Sequence, residues 1–434
     1  MVEIWLPYGA SEVHVSIPIR DLSGVVEPAQ SQPAQDPKGE IADSIRNPIG
    51  GIKLSDALTS TSTVALAVDG LIEPSLAKMV TATIIEELQS SGVTTENIMV
   101  LMANGDRERS NQNLATALGA EPMLQRIRRL DFKRGSTEVT NKGATSRRTK
   151  IEISSQYASA DFRIALGEVI PDAFTGFGGA QNAVVPGLVS MGTLEAIRSQ
   201  AFDDKAAPGV TEGNPVLAET FEAASLAGVD LAVNLVANSR GKLLKSFAGS
   251  MEESWRRAVA EVGDSYRIKA EANADVIVAS AGGIRFDFDL YHAIMTLKNI
   301  SRIAKKGAVI ILLAECTEGL GADGLSRLSH IDTLSELRRR YSLGGEAVHL
   351  VKSVTKINEV FLVSALPRNL TDPLGFGMAK TANDALKAAA EAHRRRRVLA
   401  VTRGCSTLPF LEGKKGDKGQ EDHGEVEKGE KLPG

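Results

Sequence analysis

Cysteine, aromatic residues and long apolar runs are all scarce in this 434-residue chain. Two cysteines, Cys316 and Cys405, are too few for a disulfide framework, which favours a reducing compartment, and we expect the cytoplasm. No apolar run approaches the roughly 20 residues of a membrane-spanning helix, so we expect no association with a membrane. The N-terminal segment lacks a basic region and an apolar core, and it predicts no signal peptide.

Charge of one sign is not in excess either. The 50 basic and 54 acidic side chains leave a net charge of −4, which gives no support for binding nucleic acid or an acidic membrane. Residues 126–150 are locally basic, but no aromatic side chains alternate with the charges, and we expect a solvated surface with a hairpin. The histidines show no metal-ligand spacing, so we predict no metal site from them.

Alternating strand and helix patterns fill most of the chain. Period-two alternation predicts an antiparallel hairpin near the N-terminus, with its turn at positions 8–11. Buried strands predicted at 64–68 and 98–102 flank a helix at 74–90, which makes a βαβ unit with parallel strands. Further elements are predicted at 161–166, 274–279, 290–303, 307–314, 361–364 and 381–397.

This alternation defines the expected fold class and domains. We predict an α/β protein with two doubly wound domains and a cleft between them, preceded by the short N-terminal hairpin. The N-terminal domain is expected to span residues 1–265 and the C-terminal domain residues 266–411. Residues 412–434 are rich in charge and glycine, and we predict a disordered tail. Arginines 394–397 are expected to end the preceding helix.

The predicted strand ends indicate where a ligand would bind. Ligands of open parallel sheets lie beyond the carboxyl ends of the strands. Those ends fall at residues 69–70, 105–107 and 168–172 in the first domain, and at 280–283 and 315–319 in the second. None of these loops is a dinucleotide-binding fingerprint or a phosphate-binding P-loop. The sequence therefore predicts a cleft ligand of unspecified kind.

Glycine- and proline-containing motifs recur at compatible spacing along the chain. They are Arg46-Asn47-Pro48-Ile49-Gly50, Gly176-Phe177-Gly178-Gly179, Val185-Pro186-Gly187, Gly213-Asn214-Pro215, Ser280-Ala281-Gly282-Gly283 with Leu290-Tyr291, and Ala314-Glu315-Cys316-Thr317-Glu318-Gly319. Together they resemble the nickel-dependent lactate racemase family over about residues 3–400. The resemblance implies two α/β domains with the active site between them. It also implies an isomerase that racemises or epimerises 2-hydroxy acids by a hydride shuttle.

The resemblance further implies a nickel pincer cofactor, built on a nicotinic-acid mononucleotide derivative and held covalently by a lysine. In this chain the matching loop begins with Gly178 and Gly179, but the lysine position holds Asn182, whose amide cannot form that linkage. The position of the nickel-binding histidine falls near Arg198, whose guanidinium has no lone pair to offer a metal. We therefore expect no covalently bound nickel pincer.

The positions that match the family's catalytic residues have changed as well. The two acid–base histidines correspond to Asp106 or its neighbour Arg107, and to Asp172 after a proline. An arginine that holds the substrate carboxylate corresponds to Glu73, which reverses the charge. Asp172 also fits a purely structural role as a turn residue or helix cap.

One helix of the second domain carries the remaining matched positions. The family's Tyr-Gln-x-x-Lys motif corresponds to residues 291–295, so that His292 and Met295 replace the glutamine and the lysine. Lys298 lies one helical turn beyond Met295 and could compensate for the lost lysine. His292 also fits an ordinary histidine on the helix surface or in the cleft wall.

Two hypotheses follow from these replacements. In the first, the cleft runs a different reaction on a small 2-hydroxy carboxylate, in which Asp106 or Asp172 is a general base and His292 is its acid partner. Arg107 or Arg198 would then bind the carboxylate through two hydrogen bonds. In the second, the chain is a catalytically inactive homologue that binds a ligand or a partner. The sequence leaves both hypotheses open.

Overall fold

Two six-stranded sheets organise the molecule into two α/β lobes, as the sequence predicts. The computed structural model describes residues 1–107, 111–133, 135–262, 265–271, 273–392 and 397–412. The predicted disordered tail, apart from Glu412, and most of the arginine run 394–397 lie outside the described residues. Among the described helices, none combines the length and apolarity that crossing a bilayer requires.

The first sheet has five parallel strands and one antiparallel edge strand. Its strand Val64–Asp69 is buried on both faces, with Ala65 and Ala67 in one apolar cluster and Leu66 and Val68 in another. Burial on both faces is the signature of a doubly wound sheet. Across the sheet the strands are Leu243–Gly249, Leu231–Ala237, Phe162–Glu168, Val64–Asp69, Ile98–Asn104 and Arg128–Lys133.

The second sheet is parallel throughout. Across the sheet its strands are Gly377–Ala379, Glu359–Val363, Val309–Leu313, Val276–Ser280, Val398–Val401 and Leu22–Val26. In the part of the chain that the structure describes, four shorter pairs add to the β structure: Val2–Tyr8 with Ser11–Ile17, Val139–Ala144 with Lys150–Ser154, Pro171–Asp172 with Gly176–Phe177, and Arg267–Lys269 with Leu408–Phe410.

The N-terminal hairpin forms as predicted but belongs with the second sheet. Its apolar face, which includes Leu6 and Val15, packs in one cluster with Val276 and Val278 on the outer face of that sheet. The following strand, Leu22–Val26, pairs with the sheet directly. Residues 1–26 were predicted to belong to the N-terminal domain 1–265, but in the structure they pack with the second lobe. The reason is that the apolar face of this segment is buried against the second sheet.

Sixteen α-helices surround the two sheets in the part of the chain that the structure describes. The predicted helix at 74–90 is present with those bounds, since Pro74 suits a first helical position and Glu73 caps it. The α-helices are Pro37–Arg46, Leu54–Ala57, Pro74–Ser90, Gln112–Gly119, Ser155–Ala158, Ala180–Val184, Met191–Arg198, Pro215–Ala227, Met251–Val262, Leu290–Ala293, Met295–Ile300, Asp323–Arg327, Leu334–Arg339, Gly345–Thr355, Arg368–Thr371 and Ala382–Ala392.

The basic segment 126–150 is part strand and part hairpin. Arg128–Lys133 is an edge strand of the first sheet, and Val139–Ala144 pairs with Lys150–Ser154 in the expected hairpin. A single apolar cluster runs through both lobes, from Ala165 of the first sheet to Ile277 of the second. The two lobes are therefore packed against each other through a shared apolar core.

Candidate functional site

A small cavity lies between the lobes at the carboxyl ends of the first-sheet strands. Its volume is about 70 Å³. The first lobe contributes loops that follow three neighbouring strands, and the second lobe contributes the helix Leu290–Ala293 and its surroundings. The polar residues of its lining are Asp69, Asp106, Glu168, Asp172, Asn182, Arg198, Tyr291, His292, Asn299 and Cys405.

Six of the eleven predicted site residues line this cavity. They come from both lobes and are Asp106, Asp172, Asn182, Arg198, His292 and Met295. The structure thus brings together positions that lie far apart in sequence. Asp106 and Asp172 follow strand ends that share one edge of the first sheet, as expected, and the other four residues lie on helices. The other five, which are Glu73, Arg107, Gly178, Gly179 and Lys298, lie elsewhere.

Arg107 turns away from the cavity and bridges the lobes. Its guanidinium lies 3.5 Å from the centre of the Phe288 ring and is paired with Glu318 at 3.2 Å. Both partners belong to the second lobe, and the Arg107 side chain is only 7% exposed. Its Nε is buried without a hydrogen-bond partner among the described residues, but Arg107 does not line the cavity, so the structure does not support it as the group that binds a carboxylate there.

Glu73 serves as the cap of a helix. Its carboxylate accepts a hydrogen bond from the backbone N–H of Leu76 at 2.9 Å, which satisfies a free donor in the first turn. It faces a side cleft that adjoins the cavity. The charge reversal at this position is therefore explained by local structure, without a ligand.

Gly178 and Gly179 shape a tightly packed loop before the helix Ala180–Val184. The carbonyl oxygen of Gly178 accepts a hydrogen bond from the indole of Trp255 at 2.8 Å. Gly179 has φ of +150°, and a Cβ there would approach Trp255 to 2.6 Å. These glycines place Asn182 in the cavity wall, where its side-chain oxygen is buried and has no donor among the described residues.

The imidazole of His292 lies between two carboxylates. Its Nδ1 contacts Asp289 at 2.8 Å, and its Nε2 contacts Asp106 of the opposite lobe at 3.4 Å. Burial opposes protonation, but the charges of Asp289 and Asp106 outweigh it and raise the pKa of His292 to about 9. His292 is therefore an imidazolium at neutral pH and is suited to donate a proton.

Asp69 is a functional candidate that the sequence prediction did not select. It is the last residue of the strand Val64–Asp69, it is 8% exposed, and it lines the cavity. Burial raises the pKa of Asp69 to about 7, and the nearby charges of Asp106 and Glu168 act in the same direction. The sequence could have pointed to Asp69, because residues 69–70 form one of the strand ends at which a ligand is expected.

Two cations lie over the ring of Phe174. The Arg198 guanidinium is 4.4 Å from the ring centre and the Lys298 ammonium is 5.0 Å from it. Arg198 lines the cavity, and its Nη1 is buried without a hydrogen-bond partner among the residues that the structure describes. Lys298 instead donates to the carbonyl of Ala206, and burial lowers its pKa to about 8. Of the two cations, Arg198 is the one placed to meet a ligand.

Asp172 occupies a turn. One of its carboxylate oxygens accepts hydrogen bonds from the backbone N–H groups of Phe174 and Thr175, at 2.9 and 2.7 Å. This is the structural role that the sequence also allows, and it fixes the loop that carries Phe174. The negative charge of Asp172 nevertheless faces the cavity and favours the charged form of Arg198.

A buried carboxylate behind the cavity holds two tyrosines, a feature that the sequence prediction missed. Glu346 accepts hydrogen bonds from the hydroxyls of Tyr291 and Tyr341 at 2.7 and 2.9 Å. Tyr291 lines the cavity and stacks on Phe174. Because Glu346 is 55 residues from Tyr291 in sequence, no local pattern indicates this contact.

Fold and site together define a class: a two-lobed α/β protein with a polar cavity between its lobes. Residues 8–209 match the family model of the lactate racemase N-terminal domain, and residues 269–342 match that of the lactate racemase C-terminal domain. The chain belongs to the lactate racemase-like family, which confirms the resemblance of its motifs.

Individual relatives agree with this assignment. The lactate racemase of Thermoanaerobacterium thermosaccharolyticum is 25% identical over 332 residues, which cover 75% of this chain and 78% of the relative. The lactate racemase of Lactiplantibacillus plantarum is 24% identical over 342 residues, or 77% of this chain and 80% of the relative.

Solved structures show the same fold. The lactate racemase apoprotein of T. thermosaccharolyticum superposes with a TM-score of 0.80 at 22% identity, covering 94% of this chain and all of that one. A protein of Thermotoga maritima superposes with a TM-score of 0.66 at 14% identity, covering 86% of this chain and 98% of that one.

Proposed function

We propose that this protein racemises or epimerises a small 2-hydroxy carboxylate in the interlobe cavity by proton transfer. Arg198 carries the proposal, because a buried guanidinium nitrogen without a partner among the described residues, at the cavity, calls for an anionic ligand. The cavity volume of about 70 Å³ corresponds to roughly five water-sized positions, which suits a molecule of about six non-hydrogen atoms.

The side chains around the cavity supply an acid and a base from opposite lobes. Asp69, with its pKa near neutrality, would take the proton from the carbon that bears the hydroxyl, and the C–H electron pair would pass into the carboxylate as an enediolate. The imidazolium of His292 would return a proton to the same carbon, so that no oxidant or reductant is needed. Arg198 would stabilise the charge that develops on the carboxylate, and Asn182 would accept a hydrogen bond from the hydroxyl.

The residues at the cofactor positions do not fit the nickel pincer that the family resemblance implies. Asn182 offers an amide where an amine is needed for covalent attachment, and Arg198 offers a guanidinium where a metal ligand is needed. We propose that this chain does not hold the nickel pincer covalently. Intact-mass and nickel analysis after co-expression with the cofactor-synthesis enzymes tests this. An adduct with one nickel per chain would overturn it.

Solvent deuterium exchange tests the reaction itself. Dialysed protein is incubated in D₂O with a panel of single enantiomers of 2-hydroxy acids, and we expect deuterium at C2 together with loss of optical purity. Arg198→Met should abolish the exchange, and Arg198→Lys should reduce it roughly 10- to 100-fold, because the charge remains while the paired hydrogen bonds are lost. Arg256→Met, on an exposed helix face, is the matched control. No exchange with any acid of the panel would refute the catalytic proposal.

The second candidate is a binding protein without turnover. The contacts of Arg107 and Arg285 across the lobe boundary favour it, because they hold the lobes together beside the cavity. Thermal stabilisation by a 2-hydroxy acid, lost in Arg198→Met and accompanied by no deuterium uptake, would select this alternative.

A further inference from the structure

A second, wider cleft adjoins the cavity. Its volume is about 540 Å³, and it lies between the turn of the N-terminal hairpin, the loop 238–241 and the segment 282–286. Three residues, Glu168, Ile170 and Phe286, line both the cavity and this side cleft. The side cleft therefore borders directly on the cavity, and a ligand that occupied both would pass between these shared residues.

Two arginines of the side cleft have no anionic partner in contact among the residues described. Neither the Arg240 nor the Arg403 guanidinium makes a hydrogen bond or an ion pair with any residue that the structure describes. A third arginine, Arg285, is occupied by Glu168 and by the carbonyl of Leu71. Burial lowers the pKa of Arg403, and the positive charges of Arg285 and Arg240 lower it further. Such mutual repulsion is relieved when an anion binds between the charges.

Three glutamates also line the side cleft and must be counted against these arginines, and one of them, Glu168, is already paired with Arg285. Glu73 is committed to its helix, where it accepts hydrogen bonds from Ser75 and Leu76. Glu12 is exposed on the hairpin and favours the charged form of Arg403 from a distance. Glu12 is thus the lining carboxylate, among the residues described, that competes with an incoming anion for these guanidinia, and Glu27, which does not line the cleft, also favours the charged form of Arg403.

We propose that the side cleft is a second anion subsite, in which Arg240 and Arg403 hold a carboxylate or phosphate group at the far end of the ligand. This inference rests on the proposed function for the near end, where Arg198 holds the first carboxylate. With this second subsite, the preferred substrates are 2-hydroxy acids that carry a distal anionic group, rather than simple monocarboxylates. Arginine suits this role because its planar fork donates two hydrogen bonds to either anion.

The first experiment probes the subsite alone, with inorganic phosphate and isothermal titration calorimetry. We expect Arg240→Gln and Arg403→Gln each to weaken phosphate binding roughly three- to tenfold, and Glu12→Gln to strengthen it. Lys242→Gln removes a positive charge from the same exposed loop without lining the cleft, and it should leave the affinity unchanged. The subsite is refuted if phosphate does not bind the wild type, if Arg240→Gln and Arg403→Gln bind it like the wild type, or if only Arg198→Met weakens it.

The second experiment compares two acids with the same carbon chain, 2-hydroxypentanoate and 2-hydroxyglutarate. The wild type should bind the dicarboxylate at least about fivefold more tightly, and this preference should disappear in Arg403→Gln but persist in Lys242→Gln. Equal affinity of the wild type for the two acids would refute a distal carboxylate and leave phosphate as the distal group. If phosphate binding depends on Arg240 and Arg403 while no 2-hydroxy acid binds or exchanges, the subsite stands and the proposed function fails.

Discussion

Arg285 of the second lobe donates hydrogen bonds to both carboxylate oxygens of Glu168 in the first lobe, at 2.8 and 3.3 Å. Glu168 is 2% exposed, so its charge has little access to water. Leaving one partner of such a buried pair alone costs more than the pair itself contributes, because the remaining charge stays desolvated. The contact between the two lobes at this point therefore depends on both residues.

Glu168→Gln should destabilise the protein by about 3 kcal/mol, since it leaves the Arg285 guanidinium without its counter-charge. Urea denaturation measures the loss. Glu252→Gln breaks the exposed pair with Arg256 and should change the stability by less than about 0.5 kcal/mol. The double variant Glu168→Met with Arg285→Met should recover much of the loss. A Glu168→Gln protein with the denaturation midpoint of the wild type would contradict this account.

His292 should make stability depend on pH. Its pKa is raised from 6.5 to about 9 in the folded protein, so its contribution is complete below pH 6.5 and is lost as the pH rises through 9. The stability advantage of the wild type over His292→Gln should fall by about 3 kcal/mol across that window. Denaturation at a series of pH values measures it, with His14→Gln on the exposed hairpin as the matched control. A difference that does not vary with pH would be incompatible with the two-carboxylate environment.

Asp69 should also make the stability of the folded protein fall as the pH rises, but for a different reason. Its folded pKa, about 7, lies above the ordinary value, so that the folded state loses stability as the pH rises through 7 and the buried carboxylate ionises. Asp69→Asn should therefore be more stable than the wild type at pH 8, by about 2 to 4 kcal/mol, and no more stable below pH 4. Asp161→Asn should behave oppositely, because hydrogen bonds from Thr63 lower the pKa of Asp161. Lower stability of Asp69→Asn than of the wild type at pH 8 would refute the assignment.

The sequence predicted the elements of the fold better than their long-range partners. The strand Val64–Asp69 and the helix Pro74–Ser90 follow from local apolar spacing and a proline at the helix start, both of which are visible in a short window. The strand Leu22–Val26 pairs with Val398–Val401, which lies near the opposite end of the chain. Periodicity shows that a face must be buried, but it does not say against which sheet.

The same distinction applies to the site. The rule that ligands lie beyond strand ends predicts that Asp106 and Asp172 share one cavity, and both residues line it. Side-chain direction was not predictable, since Arg107 turns toward Glu318, 211 residues further along the chain. Asp69 was passed over because its importance arises from burial and from neighbouring charges, and neither is a property of the local sequence.

A variant of Lys298 tests whether this buried amine near the cavity contacts a ligand or has only a structural role. Burial lowers its pKa from 10.5 to about 8, so the folded state is penalised for the ammonium below pH 8, and the penalty disappears above pH 10.5. Lys298→Met should accordingly gain stability relative to the wild type by about 3 kcal/mol more at pH 7 than at pH 10.5. Lys242→Met, on the surface, is the control. Because Lys298 does not line the cavity, its variant should keep the affinity for a 2-hydroxy acid within about twofold. A larger loss of affinity, at unchanged stability, would show that the amine reaches the ligand and takes the place of the lysine that the motif lacks.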